Sequence, residues 1–182
     1  MSTENLHLLN TWREEFGVKE SAEEIISFAK SKIELAESLS TDKLVQVGSA
    51  LIKPDLSCLV SANLSKFADS VYPQGFWEQH DANPDISKTG LRKGDVVVHS
   101  EIRLIINAMK CGFVHTQDDW KECLLVLSTF PCANCVSAIM EFTELEFMLV
   151  LENTKIASPQ KQEKARELLT WFNANQQRIL RF

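Results

Sequence analysis

A chain of 182 residues, 45% of them apolar, is long enough to bury one substantial core, and its length favours a single domain over 1–182. No apolar run approaches the ~20 residues that crossing a bilayer requires, and the polar stretch from Met1 to Gly17 lacks the basic-then-apolar order of a secretory signal, so a cytoplasmic protein without membrane contact is expected. With 19 basic against 25 acidic residues and a net charge of −6, without a block of Lys and Arg, the composition argues against nucleic acid as a partner and is easier to reconcile with a small molecule.

Residues 1–20 read as an N-terminal extension, a short helix or arm around Leu6, Leu8, Leu9, Trp12 and Phe16. Ser21 followed three residues later by Glu24 is a capping-box start, and Ile25, Ile26, Ala29, Ile33, Ala36 and Leu39 recur at helical spacing after it. The runs 45–52 and 56–62 are short and rich in Val, Leu and Ile, and Pro54-Asp55 between them signals the turn of a β-hairpin. Residues 63–94 form a long segment holding Pro73, Gly75, Pro84 and Gly90 beside Phe67, Tyr72, Phe76 and Trp77, read as a flap or pocket wall whose aromatics anchor it. Residues 95–98 lead into His99, and a helix over 101–111 ends at Gly112. The apolar run 123–128 is the kind of strand buried on both faces, 132–142 makes a further helix, 145–151 another strand, and Ser158-Pro159 opens a C-terminal helix over 158–182. The order α, β-hairpin, α, β, α, β, α predicts a three-layer α/β/α fold with a mixed central sheet.

Two segments carry chemistry: His99-Ser100-Glu101, and Pro131-Cys132-Ala133-Asn134-Cys135. In a reducing compartment the five cysteines stay free, so the close pair Cys132 and Cys135 is better suited to a metal than to a disulfide. Together with His99 it supplies three of the four tetrahedral ligands that Zn2+ prefers, which is the ligand count of a catalytic site with water in the fourth position. Both segments fall where a helix begins. The partial positive charge there favours thiolates, and Pro131 costs nothing because the first helical N–H has no partner in any case. Glu101, beside that water, is placed to take its proton and pass it to a ring nitrogen and then to a leaving amine. The implied reaction is attack of metal-activated water on an amidine-like carbon, with release of ammonia.

The spacing H-x-E followed by P-C-x-x-C resembles the zinc-dependent cytidine deaminase superfamily. The hairpin ending Ser61-Ala62-Asn63, the helix after His99 and the strand ending Ser128-Thr129-Phe130 extend the likeness over roughly residues 20–155. Within the superfamily the chain is most similar to the deoxycytidylate deaminase branch. The resemblance implies a cytidine deaminase-like fold, Zn2+ held by His99, Cys132 and Cys135, and proton transfer by Glu101. It further implies substrate contacts from Asn63 and from the backbone around Ser100 and Cys132, a nucleotide or nucleoside substrate such as dCMP, and a homo-oligomer, with the C-terminal helix and its Ile179, Leu180 and Phe182 as a candidate surface. This chain departs from the family pattern in Ser100, where Ala is usual, in Arg103, at or next to a substrate-contacting Asn, and in lacking a Gly-rich continuation after Asn63. Arg103 is the candidate for a phosphate.

Plainer readings stand beside these. Asn63 is also a residue that caps turns, Arg103 one that ordinarily meets solvent or a carboxylate, and His7 and His80 are expected at the surface. Cys58 reads as a core residue of a strand, while Cys111, Cys123 and His115 are the candidates for a fourth ligand if the zinc were structural. Rival functions are deamination of another ring, such as guanine, a pterin-like base or adenosine in RNA, and a zinc-holding interaction module without catalysis. The intact Glu101 argues against the module.

Overall fold

The computed structural model describes residues 3–41, 45–64, 97–151, 159–175 and 180–181. The long segment expected to form a flap, with Tyr72, Phe76, Trp77 and His80, lies outside the described residues apart from its first two positions.

Two helices open the chain. Helix α1 (Thr3–Phe16) buries Leu8, Leu9 and Trp12, and the Trp12 indole donates to the Glu122 carbonyl at 2.9 Å. Gly17, at φ +67, ends it in the left-handed conformation that glycine adopts without steric cost. Helix α2 (Ala22–Ser38) starts in the predicted capping box: Glu24 N donates to Ser21 Oγ at 3.2 Å and Ser21 N to Glu24 Oε2 at 2.7 Å.

Four strands form one mixed sheet in the order β2-β1-β3-β4. Strand β1 (Gly48–Ile52) pairs antiparallel with both β2 (Cys58–Ala62) and β3 (Leu124–Leu127), and β3 runs parallel to β4 (Phe147–Val150). The β1–β2 turn closes through Asp55, whose Oδ1 accepts from Ser57 N at 2.9 Å and Ser57 Oγ at 2.6 Å, and it holds Leu56 at φ +61. Beyond β2, Leu64 and Val98 form an isolated antiparallel bridge that brings the chain to His99.

Because strand side chains alternate, the sheet feeds two cores. Ala50, Ile52, Leu124, Val126, Phe147 and Leu149 pack against α1 and α2. Leu51, Leu125, Leu127 and Met148 pack on the other side against Leu104 and Ala108 of α3 (Ser100–Lys110), Val136 and Ile139 of α5 (Ala133–Phe142), and Ala165 and Leu169 of α6 (Pro159–Asn175). The result is the expected three-layer α/β/α arrangement around a mixed sheet. Gly48 sets one interlayer distance, since a Cβ there would meet the Ile33 carbonyl oxygen at 2.9 Å and the Ala36 methyl at 3.0 Å.

The structure differs from the sequence reading in two places. A single-turn helix, α4 (Gln117–Lys121), was not expected; it is built on a capping box in which Thr116 Oγ1 accepts from Asp119 N and Asp119 Oδ2 from Thr116 N. With Trp120 its one buried residue, it is too short to show a period. The second difference is at the C-terminus. Leu180 is 1% exposed and belongs to the core, so it is no part of a free apolar surface. The Asn173 side chain pairs with both backbone groups of Leu180, and Arg181 bridges to β4, its N donating to Glu146 O and its O accepting from Met148 N. Among the described residues no helix is long and apolar enough to cross a membrane.

Phe147 ties the two ends of the chain to the sheet: fully buried, it meets Phe16 edge-on at 6.0 Å, and the Arg181 guanidinium lies 4.7 Å from its ring centre. Phe147→Ala is expected to cost about 3–5 kcal/mol, read as a lower urea midpoint with an unchanged slope; a loss below about 1 kcal/mol would show that this junction is not packed as described.

Candidate metal and active site

The site lies at the carboxyl end of β3, where two helices start. Ser128, just past β3, continues the pairing with β1: its N donates to Gly48 O, and its Oγ accepts from Gly48 N, each at 3.1 Å. Thr129, Phe130 and Pro131 are buried and deliver Cys132 to the N-cap of α5, in extended backbone at φ −72, ψ 166. The Arg166 guanidinium of α6 lies over the Phe130 ring at 4.2 Å from its centre. His99 is likewise the N-cap of α3, at φ −63, ψ 148. Cys132 and Cys135 therefore stand at the N-cap and third position of one helix, on one face, and His99 enters from the start of another.

These three side chains converge. His99 Nδ1 is 3.5 Å from Cys132 Sγ and 3.3 Å from Cys135 Sγ, and the two sulfurs are 3.5 Å apart. A tetrahedral zinc with bonds of about 2.3 Å to sulfur and about 2.05 Å to nitrogen has ligand–ligand edges of about 3.8 Å between sulfurs and about 3.6 Å between sulfur and nitrogen. The observed triangle matches these edges to within about 0.3 Å. Two soft sulfurs and an imidazole suit zinc, and His99, Cys132 and Cys135 are the one such group of three or more among the described residues. Burial grades across it, with Cys135 buried, Cys132 half-buried and His99 exposed, so the third side of the triangle opens outward.

The electrostatics favour metal. The Cys135 thiol, more than any other neighbour, lowers the Cys132 thiol to about 4, with His99 and the Cys135 backbone N–H adding to the effect. Cys135 is pushed well above the ordinary thiol range by its hydrogen bond with Cys132 and by burial. The pair thus holds one proton between two sulfurs, and one sulfur is already a thiolate at neutral pH. By contrast, burial pushes the thiols of Cys58 and Cys123 up to about 11 and about 12. Neither is part of the triangle, and the same holds for Cys111 and His115, so none of the residues considered for a fourth ligand joins it.

Glu101, at the second position of α3, is 4% exposed. Burial raises its carboxyl above the usual range, opposed by its own backbone N–H, by His99 and by the Ser100 hydroxyl. The charge on Cys132 adds to the upward shift, so the carboxyl is electrostatically coupled to the triangle. Ser100 is fully buried, and its Oγ donates to Glu101 Oε2 at 3.1 Å. Arg103 is half-buried one turn after His99 on the same helix, and its Nε has no hydrogen-bond partner among the described residues.

Asn63 lies in the protein's own hydrogen-bond network at the end of β2. Its Oδ1 accepts from Val47 N at 2.9 Å and Ser40 Oγ at 2.6 Å, and its Nδ2 donates to Val45 O at 2.7 Å. The tether has the form of the turn-capping role open to an Asn. Sequence reasoning did not find the Ser100–Glu101 hydrogen bond, because neighbours on a helix ordinarily diverge; the one available signal was a hydroxyl at the first turn.

With this geometry in hand, the chain matches the family described as cytidine and deoxycytidylate deaminase zinc-binding region over residues 20–151. It belongs to that family. Among solved structures, this deaminase-family chain is similar to the apo dCMP deaminase from the cyanophage S-TIM5, at 17% identity and a TM-score of 0.49, covering 82% of this chain and 94% of the phage enzyme. It is also similar to a variant of NE0047 in complex with 8-azaguanine, at 15% identity and a TM-score of 0.42, covering 81% of this chain and 83% of that one. No curated protein matches it significantly in sequence.

The deaminase-family site is expected to hold one zinc per chain by elemental analysis, and His99→Ala, Cys132→Ser and Cys135→Ser each to lose it while Glu101→Gln keeps it. Stripped by a chelator, in a Cys111→Ser background, the protein should be alkylated by iodoacetamide at about pH 6 at Cys132 ahead of Cys58 and Cys123, and zinc should protect it. Labelling of Cys58 at the same rate would contradict the thiolate assignment.

Proposed function

We propose that the chain is a zinc-dependent hydrolytic deaminase of a cytosine nucleotide or nucleoside, with a dCMP-like molecule as its best-fitting substrate. The observation that carries this reading is the His–Cys–Cys triangle of zinc dimensions with the buried Glu101 two residues after His99 at the start of the same helix. Zinc bound by His99, Cys132 and Cys135 supplies acidification of a water from a pKa of 15.7 toward about 7.

The protein's own groups do the rest. Glu101 accepts the proton that the attacking water loses, hands it to the ring nitrogen beside the reacting carbon, and then transfers a proton to the leaving amine, which departs as ammonia. A carboxyl raised by burial is a better base than an ordinary one, and its shielding keeps bulk water from competing for the proton. The backbone at the starts of α3 and α5, around Ser100 and Cys132, lies against the ring. Arg103, whose Nε one turn from His99 has no hydrogen-bond partner among the described residues, meets the phosphate, which is the feature that favours a nucleotide over a nucleoside. Asn63, tied to Ser40, Val45 and Val47, serves in this reading by ordering the end of β2 for the substrate. The reading has the protein acting in the cytoplasm on a small molecule and self-associating through α6, whose Trp171 is 56% exposed.

Purified zinc-loaded protein is expected to release ammonia from dCMP, with weaker turnover of deoxycytidine and cytidine and none of guanine; no turnover of any cytosine substrate would end this reading. Glu101→Gln should lower kcat by a factor on the order of 10²–10⁴ at unchanged zinc content. Arg103→Gln should raise KM for dCMP about tenfold or more while leaving KM for deoxycytidine within about twofold. A monomeric mass at micromolar concentration would remove self-association from the proposal.

A further inference from the structure

We propose that Ser100 is a positioning residue: its buried hydroxyl anchors Glu101 through Oε2 and thereby assigns the proton-carrying work to Oε1. The inference rests on the deaminase reading above and extends it to a residue so far placed at the site only through its backbone.

Three observations support it. First, Ser100 is 0% exposed, so its hydroxyl has no bulk water to turn to. Second, it stands at the first helical position of α3, with His99 taking the N-cap, so it is not where a Ser ordinarily receives the free amides of a helix start. Third, its hydroxyl donates to Glu101 Oε2 at 3.1 Å. Adjacent helical side chains point about 100° apart, so this contact requires the Glu101 side chain to curl back toward the helix start. The curl also accounts for a carboxyl that is 4% exposed at the start of a helix rather than spread along its surface.

The terminal torsion of a glutamate is broad and roughly two-fold, so the side chain alone does not distinguish its two oxygens. A fixed donor on one of them does. With Oε2 accepting from Ser100, Oε1 takes the proton lost by the attacking water and gives it up to the ring nitrogen or the amine. The Ser100 proton stays on Oγ throughout, and no net transfer passes through the serine.

The test uses the zinc-loaded full chain and the Ser100→Ala variant. The infrared carboxylate bands of Glu101 are assigned as those lost in Glu101→Gln, and they are recorded without substrate. In Ser100→Ala they should shift as one hydrogen bond is removed, and kcat for dCMP should fall about tenfold with KM unchanged. Zinc content and far-UV circular dichroism should match the parent. Unmoved Glu101 bands overturn the proposal, as does a band shift with unchanged kcat. Should Ser100→Ala fail to fold, Ser100→Cys, close in shape but a weak donor, is read in the same two ways. Absence of turnover in the parent protein counts against the deaminase reading alone, since the infrared arm still decides whether Ser100 holds the carboxylate.

Discussion

The start of α3 and the start of α5 meet beyond the carboxyl end of β3, and the rest of the molecule can be understood as what that meeting requires. His99 must bring a ring nitrogen within 3.3–3.5 Å of two sulfurs that arrive from a helix 33 residues further along the chain. Neither helix positions itself. Helix α3 is seated through Leu104, Ile105 and Ala108, and α5 through Val136, Ile139 and Met140, on the face of the sheet that Leu51, Leu125 and Leu127 present. The ladder between β1 and β3, prolonged by Ser128, then determines where Cys132 can stand.

The electrostatic character of the site follows from the same junction. A helix start offers partial positive charge and unpaired amides, and two such starts converge on a place where one sulfur is a thiolate and one carboxyl is shielded from water. Shielding alone would favour the protonated acid, while the amide, the imidazole and the hydroxyl around it favour the anion. Glu101 is held between these tendencies, and under the proposed function such a group both takes a proton and returns it. The α6 helix contributes from outside by stacking Arg166 on Phe130, two residues ahead of Cys132.

Much of this was legible in the sequence because it is written in local chemistry. The capping box at Ser21 and Glu24, the apolar period of α2, the Pro54-Asp55 turn, the continuous apolar run of β3 and the metal-ligand spacing each depend on residues close together along the chain. What was not legible depends on distance or on very short elements. The α4 turn, with Trp120 as its single buried residue, has no period to detect. The return of Leu180 into the core relies on Asn173 and on the edge of β4, neither of which marks it in advance. Asn63 likewise looked available as a polar residue after a hairpin, and its commitment to Ser40, Val45 and Val47 emerges only when α2 is folded onto β1. The Ser100 hydroxyl was readable as a residue type but not as a contact.

Gly48 links the two sides of this architecture. On one side its bare Cα lets α2 approach until the Ile33 carbonyl and the Ala36 methyl close over it; through the peptide groups on either side it grips Ser128, four residues before Cys132. The missing side chain is therefore a mechanical coupling between α2 and the strand end that holds Ser128, beside the apolar packing the two layers share. Any group added at this point would wedge α2 outward or tilt β1, and the strain would be delivered to the approach of the metal-binding loop rather than dissipated at the surface. The tolerance of the metal-binding end of β3 to change is thus governed partly from the opposite side of the sheet.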